Sequence, residues 1–323
     1  MLKRIVFLLT VFFSFAAYAE DAPAPYRPSN LYQRMGEISV EDLGNALRQG
    51  ADLSERDHRF GVTMLGRAAS FNKEPAVIEL MLQNGADINL ADRTGKTPLM
   101  AAASFNNNPA VIKMLLNYGA DPNAVDNNGI NALMYAAAGQ CSNIVSYVKR
   151  HINDVYTMLP IASNQDKEDK KENCIEIIRM LMGVTRHVDA VDKAGKNVLS
   201  HAAASNNLPD VIYMLSRINP NFEDRTGNTP LFEAVAANQD MEIVKALLDI
   251  GADINYRNRD GMTALSVAAI GTRYPMMVDL LLSKGARTDI ADNFGKYPVF
   301  YAQNNPAINN SPVIKKLSAK PTK

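Results

Sequence analysis

Short apolar segments with helical spacing alternate with polar turns along most of the chain. Residues 92–125 show this pattern most clearly. Apolar positions form two stripes there: Leu99, Ala102 and Ala103 in the first half, and Val111, Ile112, Leu115 and Leu116 in the second. Positions three or four apart share one face of an α-helix, so each half predicts a short amphipathic helix.

Capping residues mark where these two helices begin and end. Thr97-Pro98 and Asn108-Pro109 each place a side-chain acceptor before a proline, a combination that opens a helix because proline lacks the N–H that would stay unpaired there. Gly119 predicts the end of the second helix, since glycine adopts a left-handed conformation without strain. Neither helix is long enough to be stable alone in water, where about 12–15 residues are needed. Neighbouring units must therefore cover both helices, which predicts a stack.

The same unit recurs in register along the chain. The opening turns are spaced by 35, 34, 66, 32, 34 and 34 residues and begin at Asp57, Asp92, Asp126, Asp192, Asp224, Asn258 and Asp292. The pattern D-x-x-G-x-T-P-L-x-x-A-A followed by L-L-x-x-G-A-D-x-N resembles the ankyrin repeat, whose period is about 33 residues. The resemblance covers nearly all of the chain after residue 30. It implies an all-α solenoid of stacked helix-turn-helix units with β-turn fingers.

The spacing also divides the chain into domains. Repeats are predicted at 57–91, 92–125, 126–158, 192–223, 224–257 and 258–291. An N-terminal cap is predicted at 31–56, and a C-terminal cap and tail at 292–323. The 66-residue gap equals two periods, so a degenerate copy is expected at 159–191, beginning at Leu159 and Ala162. One repeat with a long insertion is the alternative. The charge run of residues 166–172 is expected to be a solvated loop or helix extension, with a docking element as the other interpretation.

The N-terminal residues have the features of a secretory signal peptide at 1–19. Lys3 and Arg4 precede the apolar run Ile5–Ala17, and Ala17-Tyr18-Ala19 resembles a cleavage site. An uncleaved anchor is less favoured, because the run is shorter than the roughly 20 residues that span a bilayer. A proline-rich leader follows at 20–30. These features, with repeats of bacterial appearance, favour export to the periplasm of a Gram-negative cell, and secretion beyond the cell is the alternative.

Charge and motif content disfavour nucleic-acid binding and catalysis. Without Lys3 and Arg4 the chain has 32 basic and 34 acidic residues, a net charge of −2, which is not that of a globally basic protein. Histidines are isolated in different units, at positions 58, 151, 187 and 201, and none has metal-ligand spacing. The chain contains no serine elbow, phosphate loop or zinc pattern. We therefore expect a protein that is not an enzyme and has no cofactor; a site hidden in residues 139–191 is the enzymatic alternative.

Cys141 and Cys174 are the only cysteines. In an oxidising compartment an even pair suggests a disulfide, and two buried or free thiols are the alternative. This bond would close a loop of 33 residues (174 − 141). The chain-entropy model assigns such a loop about 3–4 kcal/mol of stabilisation.

The position after T-P-L departs from the ankyrin consensus, which has histidine there. In this chain the position is occupied by Gly66, Met100, Met134, Ser200, Phe232, Ser266 and Phe300. The hydrogen bonds of the consensus histidine are therefore expected to be missing, with hydrophobic contact in their place in some repeats and looser coupling at Gly66.

The remaining candidates are surface residues, because the resemblance implies a concave groove, lined by turn tips and inner helices, that binds proteins. The turn tips carry the cations Arg59, Arg93, Lys96, Lys193, Lys196, Arg225, Arg259 and Lys296. The inner helices offer Arg67, Phe71, Phe105, Tyr135, His201, Glu233 and Tyr301. Aromatic residues beside arginine are typical of interfaces, although packing between repeats would also explain them.

We therefore expect a monomeric scaffold that binds a protein partner with an acidic surface. The alternatives are a structural protein that tethers envelope components and a secreted effector.

Overall fold

The computed structural model of the protein describes residues 30–139, 164–272 and 274–318. The α-helices are α1 (Asn30–Arg34), α2 (Val40–Arg48), α3 (Met64–Phe71), α4 (Pro75–Gln83), α5 (Pro98–Phe105), α6 (Pro109–Asn117), α7 (Ala132–Gly139), α8 (Asn164–Val184), α9 (Val198–Ser205), α10 (Pro209–Met214), α11 (Pro230–Glu233), α12 (Met241–Asp249), α13 (Ala264–Gly271), α14 (Pro275–Ser283), α15 (Pro298–Gln303) and α16 (Val313–Ser318). A short π-helix, Ala234–Asn238, continues α11. The predicted signal peptide and the predicted leader lie outside the described residues, except for Asn30, the last residue of the leader, which begins α1.

Each repeat has an inner and an outer helix, and both begin where the capping pattern predicts. The side chains of Thr63, Thr97 and Asn197 accept hydrogen bonds from backbone N–H groups three residues later, at the start of inner helices α3, α5 and α9. Outer helices α4, α6, α10 and α14 begin with proline. Leu208, which has no acceptor side chain, supplies no cap to α10.

The core is a continuous layer of small residues on inner helices and branched residues on outer helices. Ala102, Ala103, Val111, Ile112 and Leu115 are all fully buried, in the stripes that the sequence predicts. Alanine lets the inner helices approach closely, and α5 packs between α3 and α7. Each helix is therefore stabilised by the repeats on either side, as expected of a solenoid.

β-Turn fingers precede the inner helices and are joined to one another. In each finger the opening aspartate, or Asn258 in one finger, folds the turn: Asp92 Oδ1 accepts from the N–H groups of Thr94, at 2.8 Å, and Lys96, at 3.0 Å. Adjacent fingers, apart from the pair that begins at Asp224 and Asn258, are linked by hydrogen bonds of 2.7–2.9 Å from the second residue of one finger to a carbonyl of the finger before it: Arg93 to Phe60, Asn127 to Thr94, Lys193 to Asn128, Arg225 to Ala194 and Asn293 to Asp260. We call this series the finger ladder.

In the interval 126–191, the described residues supply one inner helix, α7, and one outer helix, α8. Lys193 N–H donates to the Asn128 carbonyl at 2.7 Å, and Asn206 Nδ2 donates to the Ala137 carbonyl at 2.7 Å, so α9 lies directly against α7. Helix α8 packs on α6, α7 and α10, the place of an outer helix. A further inner helix between α7 and α9 would break these bonds. The degenerate copy predicted at 159–191 is therefore wrong, and the repeat beginning at Asp126 continues past residue 158; Leu159 and Ala162 lie outside the described residues.

Helix α8 includes the charge run and one of the cysteines. The run forms part of the N-terminal half of the helix, where Lys171 Nζ lies 3.0 Å from Asp210 Oδ2 of the next repeat. Cys174 is buried and disulfide-bonded. Because Cys141 lies outside the described residues, its pairing with Cys174 stays a prediction.

Buried asparagines after the inner helices couple neighbouring repeats. Asn106 Nδ2 donates to the carbonyls of Ala69, at 2.9 Å, and Asn72, at 2.7 Å, in the preceding repeat. Equivalent bonds are made by Asn72, Asn206, Asn238 and Asn305. This asparagine ladder joins neighbouring repeats by side-chain hydrogen bonds, and the Gly66 repeat takes part through Asn72. The looser coupling expected at Gly66 stays a prediction.

A second series of asparagine bonds joins the turns that follow the outer helices. Asn221 Nδ2 donates to the Gly251 carbonyl at 3.1 Å, and its Oδ1 accepts from Asp253 N–H at 2.7 Å. Asn89 and Asn255 make the corresponding bonds. Within the described residues no helix is long and apolar enough to cross a membrane.

Candidate functional site

A row of aromatic rings with two cations between them runs along the inner helices of the N-terminal half. The Arg67 guanidinium lies 5.5 Å from the Tyr32 ring and 6.0 Å from the Phe71 ring. The rings of Phe71 and Phe105 are 5.9 Å apart. Lys96 Nζ then lies 5.4 Å from the Phe105 ring and 3.9 Å from the Tyr135 ring. We call Tyr32, Arg67, Phe71, Phe105, Lys96 and Tyr135 the aromatic row.

Lys96 is partly buried between the rings of Phe105 and Tyr135. Burial lowers its pKa from 10.5 to about 8, against the opposing effect of Asp92 and Asp126. Tyr135 O–H donates to Asp126 Oδ2 at 2.7 Å, and burial together with this bond raises the pKa of Tyr135. Lys96 therefore remains largely protonated near neutral pH while being held against aromatic rings, a contact that strengthens when water is excluded.

Arg67, between Tyr32 and Phe71, has an unused hydrogen-bond donor. Its Nη2 donates to the Gln33 carbonyl at 3.2 Å, whereas its Nε is buried and has no hydrogen-bond partner. The adjacent Phe71 side chain is 43 % exposed, a large fraction for a phenylalanine that is part of an inner helix. This end of the row thus presents an apolar ring and a positive charge to solvent.

Three predicted residues of the C-terminal half, Lys196, His201 and Glu233, are paired within the protein. His201 Nε2 lies 3.0 Å from Asp192 Oδ2. Burial tends to raise the pKa of Asp192, but the hydrogen bonds from His201 and from the Lys196 and Ala194 N–H groups outweigh it and lower that pKa. Lys196 Nζ lies 2.9 Å from Glu233 Oε1, with both side chains at most 10 % exposed. Lys196 and Glu233 neutralise each other, so Lys196 offers no free charge to a partner.

The other turn-tip cations remain at the surface. Exposed side chains are those of Arg59, Arg93, Lys193, Arg225, Arg259 and Lys296, which we call the basic ridge. Arg93 also has a structural role, because its Nη1 donates to the carbonyls of His58 at 2.8 Å and Arg59 at 3.2 Å. The eight predicted cations therefore divide into six on the ridge and two, Lys96 and Lys196, that turn onto the inner helices.

Tyr301 lies far from the aromatic row, in the last described repeat. Its O–H donates to Asp292 Oδ2, and burial together with this bond raises the pKa of Tyr301 to about 12. Beside it, Lys296 Nζ lies 4.4 Å from the Phe300 ring.

Tyr32 is a member of the aromatic row that was not among the predicted binding residues. Tyr32 lies in the predicted cap, outside the recognisable repeats, but 35 residues before Arg67, which is close to one period. This spacing of about one repeat period could have identified Tyr32 as a neighbour of Arg67. Among the described residues, no group of three or more His, Cys, Asp or Glu side chains could hold a metal ion.

Comparison with known families agrees with the repeat geometry. The family model "Ankyrin repeats (3 copies)" matches residues 41–126, 65–158, 103–192, 168–258 and 234–322. The chain belongs to the ankyrin repeat family.

Individual relatives share only part of this ankyrin repeat protein. It is 41 % identical to human SH3 and multiple ankyrin repeat domains protein 2 over 90 residues. The aligned segment covers 27 % of this chain and 5 % of the relative. It is 33 % identical to the B-cell lymphoma 3 protein homolog of Mus musculus over 132 residues, a segment that covers 39 % of this chain and 29 % of the relative. The crystal structure of the human ASB11 ankyrin repeat domain aligns with a TM-score of 0.47 at 19 % identity and covers 91 % of this chain and all of that one.

Membership of the family gives the two surfaces a common setting. An ankyrin repeat stack is a protein–protein interaction domain and typically a non-enzymatic scaffold. The inner helices that carry the aromatic row and the fingers that carry the basic ridge are adjoining parts of each repeat. The row and the ridge are thus the candidate parts of a protein-binding face.

Proposed function

We propose that this ankyrin repeat protein is a non-enzymatic periplasmic scaffold that binds the acidic surface of a protein partner through its inner helices and fingers. The observation that carries the proposal is the aromatic row. Aromatic and arginine side chains contribute most strongly to binding at protein interfaces. Here they are consecutive over several repeats, from Tyr32 to Tyr135.

The charges of the row and ridge favour an acidic partner. In the row, Arg67 and Lys96 supply positive charge beside apolar surface. In the ridge, Lys193, Arg225 and Arg259 occupy the same position of three successive fingers and are exposed. Like charges in a line create a positive potential that attracts acidic surfaces and speeds association. We expect the row to provide affinity and the ridge to provide salt-dependent steering.

The periplasmic part of the proposal rests on the N-terminal sequence. Residues 1–19 have the basic start, apolar run and small-residue site of a signal peptide. The disulfide bond of Cys174 agrees with an oxidising compartment. Cell fractionation of the native protein, followed by N-terminal sequencing of the exported form, tests both export and cleavage after Ala19.

The test of binding is affinity capture from a periplasmic extract with the exported chain. One variant changes the row at Arg67→Ala and Phe71→Ala. A second changes the ridge at Lys193→Glu, Arg225→Glu and Arg259→Glu. We expect the row variant to lose the partner at all salt concentrations, whereas the ridge variant binds more slowly and loses the salt dependence of its association rate.

A matched control separates local charge from net charge. Lys113→Glu, Arg217→Glu and Lys284→Glu make the same change in charge at exposed positions in and just after outer helices. This control should capture the partner as the wild type does. A partner that is held equally by all variants would contradict the assignment of the face, and capture of none would contradict a periplasmic partner.

A further inference from the structure

The finger ladder leaves one finger uncovered among the described residues. Carbonyls of Phe60, Thr94, Asn128, Ala194 and Asp260 each accept from the N–H group of the next finger. The Thr226 carbonyl makes no such bond, but its finger is still covered, because a Cβ atom added to Gly227 would lie 2.8 Å from Arg259 N. The equivalent carbonyl in the finger of residues 292–296 belongs to Phe294, and no further finger lies beside it in the part of the chain that the structure describes. The far side of this finger is therefore an open acceptor position.

The finger glycines show the same difference. A Cβ atom added to Gly95, Gly195 or Gly261 would lie 2.8 Å from the backbone nitrogen of the following finger. A Cβ atom added to Gly295 would meet nothing within 4 Å. Among the described residues, nothing covers the surface of this finger that is closely packed on the other fingers.

The side chain of the uncovered finger also lacks the contact that its equivalents make. Lys96 is covered by Tyr135 of the next repeat at 3.9 Å, and Lys196 is paired with Glu233 of the next repeat at 2.9 Å. Tyr135 and Glu233 occupy the same inner-helix position, two residues after the leucine. Lys296, the third finger lysine, is exposed and rests on Phe300 of its own repeat.

Exposed aromatic side chains complete this surface. Phe300 is 40 % exposed. The residues at the same inner-helix position of other repeats are at most 2 % exposed: Met100, Met134, Ser200, Phe232 and Ser266. Phe294 is 66 % and Tyr297 is 48 % exposed. We call Phe294, Lys296, Tyr297 and Phe300 the terminal face.

We propose that the terminal face is a second docking site, which binds a turn or extended segment of a partner protein that carries a carboxylate beside an apolar side chain. The contacts follow those inside the stack. The segment's backbone N–H donates to the Phe294 carbonyl, its carboxylate pairs with Lys296 Nζ as Glu233 pairs with Lys196, and its apolar side chain covers Phe300. The site is separate from the aromatic row, although it shares Lys296 with the basic ridge.

Charge distinguishes this occupant from a second copy of the chain. A symmetric contact between two terminal faces would bring the two Lys296 ammonium groups together, because a two-fold interface joins the same patch on both subunits. None of the four residues of the terminal face is acidic. The face therefore fits an acidic segment from a different protein.

The test uses displayed peptides as the probe. A phage library of disulfide-constrained turn peptides is selected on the full exported chain, and the affinities of enriched peptides are measured by fluorescence anisotropy. We expect enrichment of Asp or Glu next to an aromatic or aliphatic residue. Lys296→Glu should weaken binding by about tenfold, and replacing the peptide carboxylate by lysine should restore binding to Lys296→Glu. Phe300→Ala should weaken binding of the same peptides.

The control variant is Lys315→Glu, an equal change of charge on an exposed residue of α16 in the same terminal region. It should alter affinity by less than about twofold. Thermal unfolding checks that each variant is folded. The proposal is overturned by enriched peptides without an acid, by equal losses in Lys296→Glu and Lys315→Glu, or by self-association of the wild type that Lys296→Glu abolishes. The proposal is also overturned if the enriched peptides lose affinity for the variant with Arg67→Ala and Phe71→Ala but keep it for Lys296→Glu. Such peptides would bind the inner-helix face instead.

Discussion

At the scale of single residues, the asparagine ladder shows how one side chain can join two repeats. Asn106 is 2 % exposed and uses both ends of its amide, since its Oδ1 also accepts from Asn108 N–H at 3.0 Å. The sequence places Asn106 in a polar turn, but only the packed stack reveals that its Nδ2 reaches two carbonyls of the preceding repeat. A propensity for turns predicts local hydrogen bonds, not those made to residues one repeat away.

Removal of this amide should be costly. In Asn106→Ala the carbonyls of Ala69 and Asn72 lose their donor in a buried site. We expect the free energy of unfolding to fall by about 2–4 kcal/mol, because each unsatisfied buried group costs about 1–3 kcal/mol. Asn107→Ala, in the same turn, is the control and should stay within about 0.5 kcal/mol of the wild type. Urea unfolding measures both, and equal effects would contradict the ladder as a source of stability.

Lys96 should make stability depend on pH. Its pKa is 10.5 in its ordinary environment and about 8 in the fold, so the unfolded chain binds more protons between these values. Stability from this residue therefore rises as pH rises through that interval. Lys96→Met, which keeps the apolar stem, lacks the effect.

The difference between wild type and Lys96→Met isolates this contribution. Other groups titrate in both proteins and cancel. We expect the free energy of unfolding of the wild type to gain about 1–3 kcal/mol on the variant across the interval. Urea unfolding at several pH values measures it. A difference that is independent of pH, or that falls as pH rises, would show that the pKa of Lys96 is not lowered in the fold.

At the scale of elements, helix starts were predictable and the count of repeats was not. Thr97-Pro98 and Asn108-Pro109 determine local backbone geometry, so the sequence locates α5 and α6 directly. The interval from Asp126 to Asp192 is different, because 66 residues equal either two periods or one repeat with a period-length insertion. Spacing cannot separate these cases; the contact of α9 with α7 does.

Turns in the stack need glycine for two separate reasons, which the finger glycine Gly95 and Gly119, after outer helix α6, allow to be compared within one repeat. Gly95 has φ +83° and a Cβ there would lie 2.8 Å from Asn127 N. Gly119 has φ +90° and a Cβ there would meet nothing within 4 Å. Gly119→Ala should therefore cost only the backbone strain of about 1–2 kcal/mol. Gly95→Ala should cost more, because it also forces neighbouring fingers apart.

Thermal and urea unfolding of the two glycine variants provide the measurement. Helix content by circular dichroism should be unchanged in both, since neither glycine lies within a helix. Equal destabilisation would show that the finger ladder contributes nothing beyond local conformation.

At the scale of the whole molecule, the distribution of charge matters more than its sum. The chain has 34 basic and 34 acidic residues, so composition alone indicates no preference for a charged partner. The stack separates roles: finger aspartates such as Asp92 are used by backbone N–H groups, while the cations beside them stay exposed. Sequence register predicted the basic ridge. It could not show that Lys196 forms an ion pair with Glu233 and so offers no free charge, because that pairing depends on how the next repeat packs.

The insertion raises a final question at this scale, namely what keeps α8 attached to its repeat. Cys174 of α8 is disulfide-bonded, and Cys141 is the chain's only other cysteine. A bond between them closes a loop of 33 residues (174 − 141) that includes most of the insertion. Closing this loop restricts the unfolded chain and should add about 3–4 kcal/mol to the free energy of unfolding.

Reduction should therefore destabilise the protein by this amount. The double variant Cys141→Ala, Cys174→Ala should unfold at the same urea concentration with and without reductant, and the reduced wild type should lie close to it. Intact mass after alkylation provides the independent readout, with no thiol modified before reduction and two modified afterwards. Two alkylatable thiols in the native exported protein would contradict the bond. If reduction lowers stability without reducing partner capture, the disulfide supports the attachment of α8, and the binding face is held by the asparagine and finger ladders alone.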